Sequence, residues 1–425
     1  MNASAHPPGA VAYTAAWVVP VAGPPIRDGW VSVHGDRITA LGPRDALGDR
    51  SGAVSVVHLG EVALLPGLVN AHTHLELSWA RGRVARADAM PAWVRALLRT
   101  RREAGADDPQ AVGTALEDMH ASGTVAVADV GNTVTAHAAL SKGPLEAVWF
   151  HELVGFAGHR SQQLLCEAEA RVDALPPSPR VRPRLAAHAP YSVSPSLLRE
   201  VGRRREEGSA RPTSVHVAES AEEMQFLRDG TGAWRALLED LGAWDPAWQP
   251  PAVGPVEYLA ALGVLGPGAM AVHGVQLGPA DLDALAALDV TLVTCPRSNR
   301  WTGAGDPPVA DFYASGVRVA VGTDSLASVP DLNLFAEMAS LRELAPMVPA
   351  ARLLESATIQ GARALGLEDE FGSLEPGKRA AIVSVALAAA VDDIEGHLVS
   401  GVDPSRLGWV PVPADVESRS QGTGR

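Results

Sequence analysis

Several short apolar runs of the sequence end in a histidine or a carboxylate, the side chains that bind metal ions and move protons. The run Val69–His74 ends in two histidines at positions i and i+2, which project from the same side of a strand. Later apolar runs end at His216, His273 and Asp324, and Glu219 follows His216 by three residues. Imidazoles and a carboxylate at the same end of neighbouring strands can bind a divalent metal ion. The pattern therefore predicts a metal-dependent active site.

The sequence around these side chains predicts alternating strands and helices. From Leu68 to about Val321, apolar runs of strand length alternate with helical stretches, which indicates parallel strands. The predicted strands end near His72, Asp129, His151, His188, His216, His273, Cys295 and Asp324. The 252 positions from His72 to Asp324 match the roughly 250 residues of a (β/α)8 barrel. Because function in such a barrel lies at the carboxyl ends of the strands, this fold would bring the candidate side chains together.

The flanking segments predict a smaller second domain. Short strands with turns between them fill residues 11–65, and another β-like run follows the turn at residues 372–378. We predict an α/β protein in which residues 66–371 form the TIM barrel and residues 11–65 and 372–415 form a small β-sandwich domain from both chain ends. Residues 1–10 are small, polar and Pro-rich, and we predict that they are disordered.

Together, these motifs resemble the amidohydrolase superfamily. The run Pro66–His74, with His216, Glu219, His273 and Gly322–Asp324, is similar to its branch of nucleobase and nucleoside deaminases and triazine chlorohydrolases. The resemblance implies one divalent metal ion per subunit, bound by His72, His74, His216 and Asp324. It also implies that Glu219 and His273 are catalytic without binding the metal. Three imidazoles and a carboxylate suit both zinc, which we predict, and iron, which stays an alternative.

The chemistry of these residues is suited to removing an amino group from an aromatic ring. A bound metal ion lowers the pKa of its water towards about 7 and so supplies a nucleophile. Asp324 can accept the proton of that water, and His273 can hydrogen-bond the hydroxide and fix its direction of attack. Attack places charge on a ring nitrogen, and Glu219 is suited to protonate that nitrogen and to help ammonia leave. We therefore predict a hydrolase of non-peptide carbon–nitrogen bonds.

Lysine is scarce, and this bears on the number of metal ions. Only Lys142 and Lys378 occur in the chain. Binuclear members of the superfamily hold two metals through a carbamylated lysine at the end of a barrel strand, usually the fourth. Here that strand ends in Ala186-Ala187-His188, without a lysine. We therefore predict one metal, and we expect His188 to contact substrate.

Other side chains near the strand ends are candidate substrate contacts. Glu76 lies in the turn after the first histidine pair, and Asn299 lies in the Pro-x-Ser-Asn turn after strand seven. Trp79 belongs to a group of tryptophans that could line a cavity for a flat heterocycle. That group, placed at the barrel mouth or just after it, is Trp79, Trp93, Trp234, Trp244, Trp248 and Trp301. If the substrate carries a carboxylate, Arg160 is its predicted partner, with Arg297 and Arg300 as alternatives.

The His74-Leu75-Glu76 turn resembles that of aminodeoxyfutalosine deaminases of menaquinone biosynthesis, and Glu76 would suit ribose hydroxyls. Aminodeoxyfutalosine is therefore our first predicted substrate. S-adenosylhomocysteine, methylthioadenosine and guanine stay open, as does hydrolysis of another ring C–N or C–Cl bond. A barrel that has lost catalysis and serves as an assembly protein is the remaining alternative.

Composition excludes several other classes. The formal net charge of −14 argues against nucleic-acid binding, because phosphate contacts need a basic face. A hydrophobic content of 47% can fill a large core, whereas the longest apolar run is shorter than the about 20 residues of a membrane helix. Two cysteines, Cys166 and Cys295, are too few for a disulfide framework. We therefore expect a cytoplasmic enzyme with a small heterocyclic substrate, for which the family resemblance leaves a homodimer open.

Overall fold

The computed structural model describes residues 9–47, 54–105, 108–207, 212–388 and 390–412. Residues 1–8 of the predicted disordered terminus and residues 413–415 of the predicted β domain lie outside this part of the chain. Within the described residues, no helix combines the length and apolar character that crossing a membrane requires.

Both ends of the chain contribute strands to one sheet. Its strands are β1 (Val11–Val18), β2 (Ile26–His34), β3 (Arg37–Pro43), β4 (Ser55–His58), β5 (Val62–Pro66), β14 (Ile382–Ala386) and β15 (Leu407–Trp409). Their order is β15-β14-β5-β1-β2-β3, and β4 pairs with β1 in parallel. In the described residues this is a single seven-stranded sheet, so the predicted two-layer sandwich is not confirmed.

Helices, rather than a second sheet, cover one face of this seven-stranded sheet. Successive residues of β5 point to opposite faces, as the period of a strand requires. Leu65 packs with Phe335 and Met338, whereas Leu64 packs with strand residues of the sheet and with Leu374. The alternating sequence pattern predicts that one face of the sheet is buried. It does not distinguish burial by helices from burial by a second sheet.

Eight parallel strands follow as the alternating pattern predicts. They are β6 (Leu68–Thr73), β7 (Thr124–Gly131), β8 (Glu146–Leu153), β9 (Val181–Ala187), β10 (Thr213–Val217), β11 (Ala269–His273), β12 (Thr291–Thr294) and β13 (Arg318–Val321). They form two four-stranded sheets, β6-β7-β8-β9 and β10-β11-β12-β13. The continuous ladder of a fully closed barrel is not present in the described residues.

Local hydrogen bonds join the two sheets at both seams. At the β9–β10 seam, the His216 amide donates to the His188 carbonyl at 2.8 Å. At the β13–β6 seam, the amides of Thr323 and Asp324 donate to the His72 carbonyl at 3.0 and 3.1 Å. The strand ends that carry the candidate site are thus held in direct contact across the seams.

The helices lie between and after the strands. They are α1 (Met90–Ala104), α2 (Pro109–Ala121), α3 (Thr135–Lys142), α4 (Ser161–Asp173), α5 (Pro195–Glu207), α6 (Ala221–Asp229), α7 (Ala233–Asp240), α8 (Pro255–Ala261), α9 (Pro279–Ala287), α10 (Pro296–Thr302), α11 (Val309–Ser315), α12 (Leu334–Leu344), α13 (Ala350–Ser356), α14 (Ile359–Leu365) and α15 (Ile394–Leu398). Short 3-10 turns occupy Arg44–Leu47, Leu75–Ala80, Gly158–Arg160 and Pro404–Arg406.

The two parallel sheets share one apolar core. Phe150 and Ala186 from the first sheet cluster with Met270, Val293 and Ala320 from the second. All five side chains are essentially inaccessible to solvent. Because this core fixes the sheets against each other, the carboxyl ends of their strands form one rigid rim for the site.

Candidate active site

A cavity of about 450 Å³ opens where the carboxyl ends of the strands converge. Its floor is polar and comes from His74, Glu152, His216, His273 and Asp324. Its outer walls are largely apolar and come from helices α1 and α7. The predicted position of the site, at the carboxyl end of the strands, is therefore where the structure places these side chains.

Three of the predicted metal ligands lie close enough to bind one ion. Potential ligand atoms of His72, His74 and His216 lie within 4.8 Å of one another. The Nδ1 atom of His74 donates to the Val130 carbonyl at 2.9 Å, and that of His216 donates to the His188 carbonyl at 2.7 Å. These bonds fix the tautomers and leave the Nε2 lone pairs of His74 and His216 for a metal.

His72 and Asp324 complete the group. His72 is fully buried, and within the described part of the chain neither of its ring nitrogens has a hydrogen-bond partner. A buried imidazole without a partner is costly unless something absent from the protein atoms binds it, and a metal ion meets that need. Asp324 Oδ1 lies 3.7 Å from His74 Nε2, while Ser298 and Ser328 hydroxyls donate to Oδ2. The donor set therefore fits a single divalent cation.

Gly322 allows the close approach that brings these ligands together. A Cβ atom at this position would lie 2.8 Å from the Cβ and carbonyl oxygen of His72. Any other residue would therefore push β13 away from β6. The glycine of the Gly322-Thr323-Asp324 motif is thus explained by packing against the first ligand.

A second group of potential ligands overlaps the first. Glu152, His188 and His216 also have ligand atoms within 4.8 Å of one another. His216 can offer only Nε2, because its Nδ1 is the donor to the His188 carbonyl. One nitrogen cannot serve two separate ions, and no lysine occurs among the residues that line the cavity. The two groups therefore share the one available ring nitrogen of His216.

Glu219 and His273 face each other beside the candidate metal group. Glu219 Oε1 lies 3.5 Å from His273 Nε2, and both side chains are buried. His273 Nδ1 donates to Asn299 Oδ1 at 2.8 Å, which directs the Nε2 lone pair towards Glu219. Burial raises the pKa of Glu219 well above its usual range and lowers that of His273. Burial therefore favours the neutral form of both side chains.

Backbone conformation also aims these side chains. His273, Asp324 and Ala218 are non-glycine residues with φ of +78°, +59° and +50°. Such residues carry local strain, which persists only where the surrounding structure imposes it. At Ala218 the cause is visible, because Glu223 accepts the amides of Ala218 and Glu219 at 2.9 Å each. Glu223 thus holds the sharp turn that presents Glu219.

We expect Glu223→Gln to lower kcat about tenfold, because an amide side chain cannot accept both backbone N–H groups.

Burial raises the pKa of Glu223 to about 7. A raised carboxyl pKa stabilises the fold below about pH 4.5, and this contribution is lost as the pH rises through about 7. The variant should therefore gain stability relative to the wild type across that range. Urea unfolding at pH 5 and pH 8 measures this, and a pH-independent difference would contradict it.

The predicted substrate contacts divide into two groups. His188 and Glu76 line the cavity, and Glu76 Oε2 accepts the amides of Asn132 and Thr133 at 2.9 and 2.8 Å. Asn299 lies behind His273 as its hydrogen-bond partner. These positions agree with roles beside the reacting group.

Two predicted substrate contacts do not line this cavity. Arg160 is exposed in the Gly158–Arg160 turn and does not line the cavity. Trp79 is buried in an apolar cluster with Val84 and Trp93, because the turn after β6 directs it into the protein. The position of a residue soon after a strand does not reveal on which side of the following turn its side chain lies.

The two alternative arginines form ion pairs outside the cavity lining, and most of the predicted tryptophan group does not line the cavity. Arg297 pairs with Glu337 at 2.7 Å and Asp331 at 2.9 Å, and Arg300 pairs with Asp306. Of the predicted tryptophan group, those that line the cavity are Trp93 and Trp234. Trp234 stacks on Tyr191, a further lining residue, with ring centroids 3.9 Å apart.

The sequence motifs do not predict several lining residues, among them Glu152, Asn132 and Arg101. Glu152 stands near the end of β8, next to His151, which stacks against Trp149 and does not line the cavity. Strand alternation carries the signal, since neighbouring residues point to opposite sides. Asn132 donates to Glu152 Oε2 at 3.1 Å, and Arg101 lines the outer cavity from α1.

Comparisons with known proteins agree with this geometry. Residues 63–406 match the sequence profile of the amidohydrolase family. A 5-methylthioadenosine/S-adenosylhomocysteine deaminase of Moorella thermoacetica is 30% identical over 403 residues, which cover 90% of this chain and 88% of that protein. The family profile spans both parallel sheets.

Solved structures with the same fold include two deaminases. An adenosine deaminase from Xanthomonas campestris with bound zinc has a TM-score of 0.75 and 26% identity, covering 93% of this chain and 90% of that one. Helicobacter pylori aminofutalosine deaminase in complex with methylthio-coformycin has a TM-score of 0.80 and 22% identity, covering 94% and 100%. At 22% identity, the similarity to the Helicobacter pylori enzyme shows a shared fold alone.

Proposed function

Because this chain belongs to the amidohydrolase family, we propose that it is a metal-dependent hydrolytic deaminase of an aminopurine nucleoside. One observation carries the proposal: the candidate metal group and the Glu219–His273 pair meet at the floor of one cavity. The reaction adds water at the ring carbon that bears the amino group. The carbon–nitrogen bond breaks, a carbon–oxygen bond forms, and ammonia leaves.

The metal would be held by His72, His74, His216 and Asp324. When bound, a divalent cation lowers the pKa of water and so supplies hydroxide near neutral pH. The zinc-bound adenosine deaminase relative supports zinc as the first candidate. Hydrogen bonds from the Ser298 and Ser328 hydroxyls hold Asp324, which is placed to take up the proton of the attacking water.

Glu219 makes the remaining proton transfers, and His273 orients the attacking oxygen. Burial raises the pKa of Glu219 and so favours its protonated form, which can deliver a proton to the ring nitrogen as the ring carbon becomes tetrahedral. After that transfer the carboxylate can take the proton of the hydroxyl group added to the ring carbon and pass it to the amino group, which leaves as ammonia while the carbon–oxygen double bond forms. His273, fixed by Asn299, orients the attacking oxygen through Nε2.

The nucleoside class is supported by the named relatives and by the cavity. Proteins named 5-methylthioadenosine/S-adenosylhomocysteine deaminase match nearly the whole chain. Trp93, Tyr191 and Trp234 provide aromatic surface in the cavity for a flat ring, and Glu76 and His188 provide polar contacts. We propose a 5′-substituted adenosine as the substrate class. It includes both methylthioadenosine-type compounds and aminodeoxyfutalosine.

Ammonia release across a substrate panel tests this function. The panel comprises methylthioadenosine, S-adenosylhomocysteine, aminodeoxyfutalosine, guanine, cytosine and a chlorinated triazine. We expect turnover of at least one 5′-substituted adenosine, and little of guanine or cytosine. Chloride release from the triazine without ammonia release from any nucleoside would favour a chlorohydrolase. Inactivity of the metal-loaded protein towards the whole panel would favour a barrel without catalysis.

Metal analysis tests the proposed stoichiometry. Because His216 has one free ring nitrogen and no described residue that lines the cavity is a lysine, we expect close to one zinc or iron ion per chain. Inductively coupled plasma mass spectrometry of purified protein measures this ratio. A ratio of two per chain would overturn the mononuclear site.

A further inference from the structure

One face of helix α1 forms a continuous wall of the cavity. Its lining residues are Met90, Trp93, Val94, Leu97, Leu98 and Arg101. Their spacing of three and four residues places them on a single helix face. The face extends over about 16 Å at 1.5 Å per residue, and it is apolar until its last position. Arg101 occupies the position where the pattern would otherwise continue with an apolar residue.

A second apolar helix face lies on another wall of the same cavity. Trp234, Leu237, Leu238 and Leu241 line it with the same spacing from α7 and its end. The ion pair between Arg95 of α1 and Asp240 of α7 joins the two helices. Leu241 is 52% exposed, and Val154, which also lines the cavity, is 48% exposed. Large apolar side chains at a cavity mouth gain free energy when an apolar ligand group covers them.

Arg101 is the exception within this apolar outer cavity. Among the lining residues that the structure describes, it is the only arginine or lysine, and no described carboxylate pairs with it. In contrast, the guanidinium groups of Arg95, Arg297 and Arg300 have acidic partners. A half-buried guanidinium beside apolar surface is suited to bidentate binding of a carboxylate.

The distribution of charge in the cavity fixes the direction of such a ligand. The lining carboxylates are Glu76, Glu152, Glu219 and Asp324, and all four lie at strand ends or in the turn after β6. They repel an anionic group from the floor, whereas Arg101 attracts it to the outer wall. The outer walls contain no acidic residue among the described lining residues, so an ammonium group there would have no partner.

We propose that the outer cavity is a subsite for a carboxylate carried on an apolar arm of the substrate, and that Arg101 pairs with this carboxylate. The inference rests on the deaminase function proposed above and makes its substrate class more specific. The favoured substrate is an aminopurine nucleoside with an aryl or alkyl carboxylate. An amino-acid arm, with its ammonium group beside the carboxylate, is disfavoured.

A pair of substrates that differ in one charge tests the subsite. Aminodeoxyfutalosine carries a benzoate arm, and its methyl ester keeps the arm without the charge. We expect Arg101→Met, which keeps the apolar stem, to lower kcat/KM for the acid about 10- to 100-fold, mainly through KM. The ester should change less than about twofold, and Arg101→Lys should restore part of the loss for the acid. Arg99→Met, an exposed position on the same helix, is the matched control.

The possible results separate this inference from the proposed function. An equal loss for acid and ester in Arg101→Met, or no loss for either, would overturn the carboxylate subsite. Turnover of methylthioadenosine without turnover of the acid would also overturn the subsite and leave the deaminase function intact. If the metal-loaded wild type deaminates none of these nucleosides, the proposed function fails and the subsite fails with it.

Discussion

Replacing Glu219 with glutamine is expected to lower kcat by about 10³-fold while the protein keeps its metal. The side chain is buried, and its Oε2 has no hydrogen-bond partner among the described residues. Oε1 faces His273 Nε2 at 3.5 Å. Glutamine has nearly the same shape but cannot transfer a proton. The loss should therefore fall on the chemical step rather than on folding or metal binding.

The pH profile gives the Glu219 experiment a second readout. Because burial raises the pKa of Glu219, the wild type should lose kcat on the basic side of the profile as this carboxyl ionises. Glu219→Gln should lack that decline. Glu222→Gln, three residues further along the chain and outside the cavity lining, is the matched control. Near-normal kcat in Glu219→Gln would show that this carboxyl is not the proton donor.

Replacing His72 with alanine is expected to remove both the metal and the activity. His72 is fully buried, and within the described residues both of its ring nitrogens lack hydrogen-bond partners. Without this imidazole the remaining ligands leave the ion one protein donor short. The metal content should fall from about one to well below one per chain, and kcat/KM should fall by at least about 10³-fold.

Metal analysis and circular dichroism separate loss of metal from loss of fold in His72→Ala. The control is His159→Asn, which changes an exposed histidine outside the cavity lining. Zinc added back in excess should restore little activity to His72→Ala, but it should restore a chelator-treated wild type. A His72→Ala protein that keeps one metal and wild-type activity would place the metal elsewhere.

Sequence reasoning located the strand ends well because barrel geometry converts a linear pattern into a spatial one. His72, His216 and His273 lie at ends of predicted strands that are far apart in sequence, yet parallel pairing brings those ends to one rim. The rings of His72 and His216 are 5.0 Å apart. The strand pattern alone therefore predicts that the motif residues lie near one another, and the packing of the helices does not have to be known.

The walls of the cavity were much less predictable. Arg160 and Trp79 follow strands as closely as true lining residues do, but the local turns carry one to the surface and the other into a packed cluster. Arg101 lies on a helix, far from any strand-end motif, and its place in the cavity depends on how α1 packs beside α7. The β-sandwich was inferred from strand alternation, which does not distinguish a second sheet from the α12 helix that covers Leu65.

Turnover in oxygen-18 water tests hydrolytic deamination most directly. The metal-loaded protein is incubated with aminodeoxyfutalosine or methylthioadenosine in labelled water, and product mass and released ammonia are measured together. We expect one labelled oxygen in the purine ring for each ammonia released, and neither product after the metal has been removed. Purine rings that keep their amino groups, or ammonia released without oxygen from water, would contradict hydrolytic deamination.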